Sequence, residues 1–310
     1  MEQGRSRSKK RNTSKKLNRI VLVLSLAVTL CIVLYVAVIN DAPAGSEHAA
    51  STPAAGLKQE LSVIVIDVGQ GDSILVTFGA DETMLIDAGE SKEAKAVKEE
   101  LDERGISQID ILVATHPHAD HIGGMAEIIN DYEIGCVYLP DMQSNTKTYR
   151  NLRDTIEKHQ IPIVEAFVGD KFKLGSAECA IVSPAQDADK DANNESVMLL
   201  LDYLDTEFLF TGDAEEWAEE QVLSAGYPID ADVLKVAHHG SSTGTSEAFL
   251  KAVTPDYAVI SCGQDNKYGH PHEETLELLD RYNIDTWRTD VSGDVLFQSD
   301  GNNIQIVLGD

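Results

Sequence analysis

His116-Pro117-His118-Ala119-Asp120-His121-Ile122-Gly123-Gly124 places three imidazoles and one carboxylate within six positions, directly after the apolar run Ile109 to Ala114. Imidazole and carboxylate donors together suit Zn, Mn or Fe, and a cluster without cysteine is unlike the closed structural zinc sites. A loop leaving the end of a buried strand is where catalytic side chains commonly project. A plain surface histidine cluster is the alternative, but it gives no reason for the Gly-Gly pair that bounds the loop. The stretch reads as a metal centre built at a strand end.

Working outward, the flanking sequence alternates short Val- and Ile-rich runs with helical spacings. Leu61 to Val68, Ser73 to Phe78 and Thr83 to Ile86 read as strands, with Gln70-Gly71-Asp72 as a turn. In Ser91 to Glu103, Ala94, Val97 and Leu101 share one helical face. Further strands are expected at Ile134 to Leu139, Glu178 to Val182, Ser196 to Tyr203, Phe208 to Thr211, Asp232 to Ala237 and Tyr257 to Cys262, and near Thr286, Val295 and Ile304. Helices are expected at Gly124 to Asn130, Thr146 to His159, Ala214 to Ser224, Ser246 to Ala252 and Glu273 to Tyr282. Strands interspersed with helices indicate one α/β domain, here residues 57–310.

Ahead of that domain the chain changes character. Residues 1–19 carry Arg5, Arg7, Lys9, Lys10, Arg11, Lys15, Lys16 and Arg19 against Glu2 alone, a net +7. The whole chain is at −27, so the remainder stands at −34. Ile20 to Ile39 has no charge over 20 residues, the length that crosses a bilayer. The basic cluster before it places residues 1–19 in the cytoplasm, 20–39 in the membrane and everything after Asn40 outside. Ala42-Pro43-Ala44 resembles a cleavage site, which would yield a secreted form. Residues 40–56, rich in Ala, Pro, Ser and Gly, read as a linker. Cys31 lies in the apolar run; Cys136, Cys179 and Cys262 lack metal-type spacing and read as small buried hydrophobes.

The motifs in order resemble the metallo-β-lactamase superfamily, in a form most like the hydrolase domain of ComEC-like DNA-uptake proteins. They are Asp67-Val68-Gly69-Gln70-Gly71-Asp72-Ser73, Ile86-Asp87-Ala88-Gly89, the His116 to His121 loop, Phe210-Thr211-Gly212-Asp213, Leu234-Lys235-Val236-Ala237-His238-His239-Gly240-Ser241 and Gly269-His270-Pro271. The resemblance implies a four-layer αββα sandwich with two divalent transition metals, Zn or Mn, at one edge. It implies one metal on His116, His118 and Asp213, and a second on Asp120, His121, Asp213 and His270, with Asp213 bridging. Asp87 is expected to orient a ligand histidine through its other ring N–H. Many members carry a further histidine before the bridging aspartate. Here Asn193-Asn194-Glu195-Ser196 stands in its place, so Asn194 and Ser196 are taken as supporting or substrate-side groups, and His159 as a solvated helix residue.

The last ligand has three candidates, His238, His239 and His270. Strand alternation through Asp232 to Ala237, continued onward, sets Lys235 and His239 on one face and His238 on the other. On that basis Lys235 and His239 are expected to face substrate as catalytic groups beside Asp120, with His238 and Ser241 in support. The function this implies is an extracytoplasmic metal-dependent phosphodiesterase, including a nuclease on DNA. The acidic body opposes a long polyanion, so a smaller cell-wall or choline-linked phosphodiester stays open. Amide or ester hydrolysis, including of a β-lactam, and a binding protein with a decayed site are the other readings. No obligate protein partner is legible; the membrane is contacted through residues 20–39.

Overall fold

The computed structural model describes residues 61–308 apart from 81, 142–143 and 185–190. The basic tail, the apolar run and the linker lie outside them. Among the described residues, no helix is long and apolar enough to cross a membrane.

Six strands follow one another into the first sheet: β1 (Leu61–Val65), β2 (Ile74–Phe78), β3 (Glu82–Ile86), β4 (Gln108–Val113), β5 (Glu133–Leu139) and β6 (Ile163–Glu165). Seven build the second: β7 (Lys171–Leu174), β8 (Ala177–Ser183), β9 (Met198–Tyr203), β10 (Thr206–Phe210), β11 (Val233–Lys235), β12 (Tyr257–Ile260) and β13 (Asp285–Arg288). The chain then returns to the first sheet with β14 (Val295–Ser299) and β15 (Ile304–Leu308). The strand orders are β15-β14-β1-β2-β3-β4-β5-β6 and β13-β12-β11-β10-β9-β8-β7.

Three apolar clusters make the layers. The inward faces of both sheets, including Val63, Val76, Met84, Phe208, Phe210, Val259 and Phe297, bury one core between them. The outer face of the first sheet is covered by helices Ala94–Glu103, Met125–Asp131 and Lys147–His159, through Val97, Leu101, Ile128, Leu152 and Ile156. Helices Glu216–Ala225, Glu247–Val253 and Glu273–Arg281 cover the second through Val222, Phe249, Leu250 and Leu279. The result is the expected helix–sheet–sheet–helix order. Ala94, Val97 and Leu101 are the buried face of their helix, as their spacing requires.

Two differences from the sequence reading matter. The strand expected over Asp232 to Ala237 is only Val233–Lys235, and Ala237–Gly240 is a tight helical turn. Strands β6 and β7 were not anticipated: they are short and half-exposed, so neither carries a continuous apolar run. Cys179 and Cys262 are buried and Cys136 is half-buried; all are free thiols.

Candidate metal centre

Parallel pairing ends β3 and β4 at one edge of the first sheet and β10, β11 and β12 at one edge of the second, and contacts such as Asp213 with His121 bring the two edges together. The loops leaving these edges carry Asp87, His116 to His121, Asp213, His238 and His239, and Ser261 to His270. They are packed backbone to backbone. A Cβ on Gly71 would sit 2.2 Å from the Asp120 carbonyl oxygen, and one on Gly124 would sit 2.3 Å from that of Ala88. Gly124 closes the histidine loop because only a residue without a side chain admits this approach.

Asp213 is the centre of the site. Its Oδ2 lies 3.1 Å from His121 Nε2, 3.5 Å from His239 Nε2, 3.6 Å from His116 Nε2 and 3.9 Å from His238 Nε2. His239 Nε2 is also 3.6 Å from Asp120 Oδ2. His118 Nδ1 lies 3.0 Å from His116 Nε2. Behind them the supports are complete. The Asp87 carboxylate accepts from the Thr115 backbone N–H at 2.9 Å and the Thr115 hydroxyl at 2.6 Å, and meets His121 Nδ1 at 2.7 Å. Ser196 Oγ accepts from the Asp213 backbone N–H at 3.1 Å and lies 3.4 Å from His116 Nδ1. His239 Nδ1 meets the Ser261 carbonyl at 2.9 Å.

The inward atoms have no such satisfaction. His121 Nε2, His239 Nε2 and Asp213 Oδ1 are buried without a hydrogen-bond partner. Buried polar atoms are almost always paired, so converging orphans of this kind mark a site for an ion. His116, His121 and Asp213 form one close donor group, and Asp120, His121 and His239 another. The all-nitrogen-and-oxygen donor set fits one or two divalent transition metals.

The structure redistributes several expected roles. His116, Asp120, His121 and Asp213 come together in the close donor groups, His118 stands outside them with its Nδ1 3.0 Å from His116 Nε2, and Asp87 takes the supporting place. His239 was expected to face substrate. It is 1% exposed and turned into the donor cluster, whereas His270 joins none of the close donor groups. Lys235 and His239 do share a side, both reaching Asp72 while His238 stays at the rim, but that side is buried and not open to substrate, and β11 ends at Lys235 before either histidine. His238 and His239 then adopt consecutive left-handed conformations, φ 49° and 57°, so no pleat relates them to the strand. Lys235 likewise does not face substrate: it is 1% exposed and its Nζ lies 2.9 Å from Asp72 Oδ2. His270 is half-exposed, with its ring stacked on Tyr268 at 5.5 Å and Nδ1 3.4 Å from Gln70 Nε2. Asn194 Oδ1 accepts from the Glu215 backbone N–H at 3.2 Å, and Ser241 Oγ bonds Thr243 Oγ1 at 3.0 Å. His159 bonds Asn130 on the surface.

Asp72 entered the sequence reading only within a turn and the opening motif, and Glu215, Thr115 and Ser261 were given no role. Glu215 Oε1 lies 3.2 Å from His238 Nδ1 and accepts from Thr243 Oγ1 at 2.9 Å. Its position two residues after Asp213 was the one available signal.

The charge pattern is strongly coupled. Burial resists ionisation of Asp213, but His121 and His239 outweigh it and hold the carboxyl well below the usual range. Burial would likewise depress His121 and His239. Asp213 and Asp87 raise the first, and Asp213 and Asp120 raise the second, well above the usual imidazole value. Burial and neighbouring His121 push His116 the other way. Burial also lowers His270, to about 4, with His239 and His238 adding to the effect. A metal can bind His121 and His239 only through unprotonated Nε2, so binding must expel the protons these rings hold. Titration of the metal-free domain with zinc near pH 7 should release roughly one to two protons per chain, and affinity should fall as pH drops. Calorimetry in two buffers of different ionisation enthalpy measures this; equal heats in both would contradict the assigned ligands.

The sequence pattern described as the Metallo-beta-lactamase superfamily matches residues 66–264. ComE operon protein 3 of Bacillus subtilis is 31% identical over 261 residues, 78% of this chain and 33% of the relative. Competence protein ComA of Neisseria gonorrhoeae is 30% identical over 79% of this chain and 33% of its own length. Recombination protein 2 of Haemophilus influenzae is 31% identical over 77% and 29%. The chain thus spans about a third of these relatives. Among solved structures, the metallo-beta-lactamase fold protein YhfI of Bacillus subtilis superposes with a TM-score of 0.53 at 11% identity, covering 77% of this chain and all of YhfI. Igni18, a metallo hydrolase of Ignicoccus hospitalis, gives 0.52 at 15% identity over 77% of this chain and 98% of its own. A superfamily-wide sequence match, relatives at this identity and a buried donor cluster at the strand ends agree: the chain belongs to the metallo-β-lactamase superfamily, as a hydrolase-fold relative of bacterial competence proteins.

Proposed function

We propose that this chain is a membrane-anchored, extracytoplasmic phosphodiesterase. The observation that carries the reading is the central Asp213 carboxylate, a hard oxygen donor with imidazole nitrogens of both halves of the sandwich arrayed around it. One ion would be held by His116, His118 and Asp213, and a second by Asp120, His121, His239 and Asp213. Bound there, two divalent transition metals supply Lewis acidity toward a phosphoryl oxygen and lower the pKa of water to near neutrality. Asp213 is kept in place by Ser196, and His121 by Asp87. The centre opens into a cavity of about 340 Å³ lined by Gln70, His118, Asn193, His238, Tyr268 and His270. His238 is the rim imidazole whose Nδ1 faces Glu215 and Thr243, with Nε2 turned toward Asp213; only the doubly protonated ring would have an Nε2–H to give a leaving oxygen.

Phosphodiester chemistry is favoured over amide or β-lactam hydrolysis by the carboxylate at the bridging position and by the competence relatives. The −34 body repels a long polyanion, and the imidazole rim offsets this only locally. A DNA strand end or a smaller phosphodiester is therefore the preferred substrate. The uncharged run 20–39 and its basic flank supply the anchor. Intact cells producing the full chain should hydrolyse bis(p-nitrophenyl) phosphate added outside, and external protease or chelator should abolish the signal. Activity seen only after lysis would overturn the topology. Hydrolysis of a chromogenic β-lactam but not the diester would overturn the substrate class.

A further inference from the structure

The reading above gives no role to Lys235 or Asp72, although both are 1% exposed. Lysine is almost never fully buried unless paired, and a buried ion pair is often no more stable than an apolar replacement of the same volume. Stability alone is a weak reason to keep one. Their surroundings suggest another. Lys235 Nζ lies 2.9 Å from Asp72 Oδ2 and donates to the Val236 carbonyl at 2.9 Å. Asp72 Oδ1, buried without a hydrogen-bond partner of its own, lies 3.2 Å from His239 Nδ1, whose hydrogen bond goes to the Ser261 carbonyl. The Asp72 backbone N–H donates to the Asp120 carbonyl at 3.1 Å. Lys235 carbonyl accepts from Thr211 Oγ1 at 2.7 Å, two residues before Asp213. Ser261, whose carbonyl holds His239 Nδ1, is itself tied to the Asp72 loop, its hydroxyl donating to the Gly71 carbonyl at 2.6 Å. Asp72 belongs to the β1–β2 loop of the first sheet and Lys235 ends β11 of the second. The pair therefore spans the two halves directly behind the Asp120–His239–Asp213 donors.

We propose that the Asp72–Lys235 pair is a positioning device for His239. It fixes the ring against the first-sheet loop, with Nδ1 engaged behind and Nε2 presented to Asp120 and Asp213, and so forms the second metal position. Asp72 acts by its charge beside Nδ1 and through its loop, which holds the Ser261 that bonds Nδ1, and Lys235 acts by holding Asp72. The proposal rests on the metal-centre reading.

The test uses the full chain with Lys235→Met, Asp72→Asn and the two combined. Zinc affinity and stoichiometry are measured in zinc buffers, and thermal unfolding is followed on the metal-free proteins. Each single variant should weaken one zinc ion by roughly 10–100-fold, the scale seen when a support behind a ligand is lost, and leave the other unchanged. The double variant should regain the metal-free unfolding midpoint that the singles lose, because no buried charge is stranded, yet should not regain the zinc. A pair serving only the fold would restore both or neither. Wild-type zinc binding in the variants overturns the positioning role alone, and a double variant that cannot fold overturns it by making the pair a folding requirement. A folded wild-type protein that binds no zinc overturns the metal reading and this proposal together.

Discussion

Asp213→Ala is expected to empty both proposed metal positions and to lower the proposed phosphodiester turnover by at least about 10⁴-fold. Among the described residues, no other carboxylate lies within 4 Å of four imidazole nitrogens, so no neighbour can replace it as the shared donor. The fold should survive the change. Asp213 Oδ1 has no hydrogen-bond partner to strand, and the backbone N–H of residue 213 keeps its bond to Ser196. Loss of metal in a variant with an unaltered circular dichroism spectrum is therefore the predicted pair of results. His270→Ala is the contrast: its ring is outside the close donor groups, so zinc content should be retained. One full equivalent of tightly held zinc in Asp213→Ala would place that ion on imidazoles alone and remove the bridge.

Asp87→Ala should produce the largest loss of stability. The carboxylate is fully buried and has three partners, the Thr115 N–H, the Thr115 hydroxyl and His121 Nδ1. Alanine strands all three and also has to adopt φ 58°, a left-handed conformation that aspartate tolerates better. Breaking a buried charged network in this way costs about 3–5 kcal/mol, out of the ~5–15 kcal/mol that holds a domain folded. For a domain of this size the unfolding midpoint should drop by roughly 6–20 °C. Asp87→Asn should lose less, since its amide oxygen still serves the Thr115 N–H. A metal-free alanine variant within about 1 kcal/mol of wild type would show that water, not Asp87, satisfies these groups.

The parts of the centre legible in sequence are those whose geometry is local. His116, His118, Asp120 and His121 share one short loop, and Asp87 and Asp213 each end a strand that the apolar pattern announces. His239 was misplaced because alternation puts it on the side of Lys235 without telling that this side is buried, and three residues of strand carry no signal for where β11 stops. His238 and His239 are then two successive left-handed residues with no pleat to follow. Residues in sparsely populated conformations cost of order 1–3 kcal/mol each and cluster at functional sites, so sequence periodicity fails where function is densest. The Asp72–Lys235 pair was invisible for a different reason. It joins distant segments, and an exposed lysine and a buried one look the same in a strand. The outer layers, by contrast, were readable from helical spacing, because their apolar faces pack on one sheet each.

The last strands of the domain complete its first sheet. β14 lies against β1 in register from Leu61↔Ser299 to Val65↔Val295, with β15 outside it. During synthesis, the first strand therefore waits with one edge bare until residues 295–299 have emerged. Pairing of such sequence-distant strands is slow to form, and an unpaired apolar edge is a template for association with other chains. A polypeptide interrupted before Val295 would carry every metal-binding residue and still lack the strand that seals its first sheet. Such fragments are expected to be cleared or to aggregate, which makes arrival of the C-terminal hairpin a checkpoint on the whole domain.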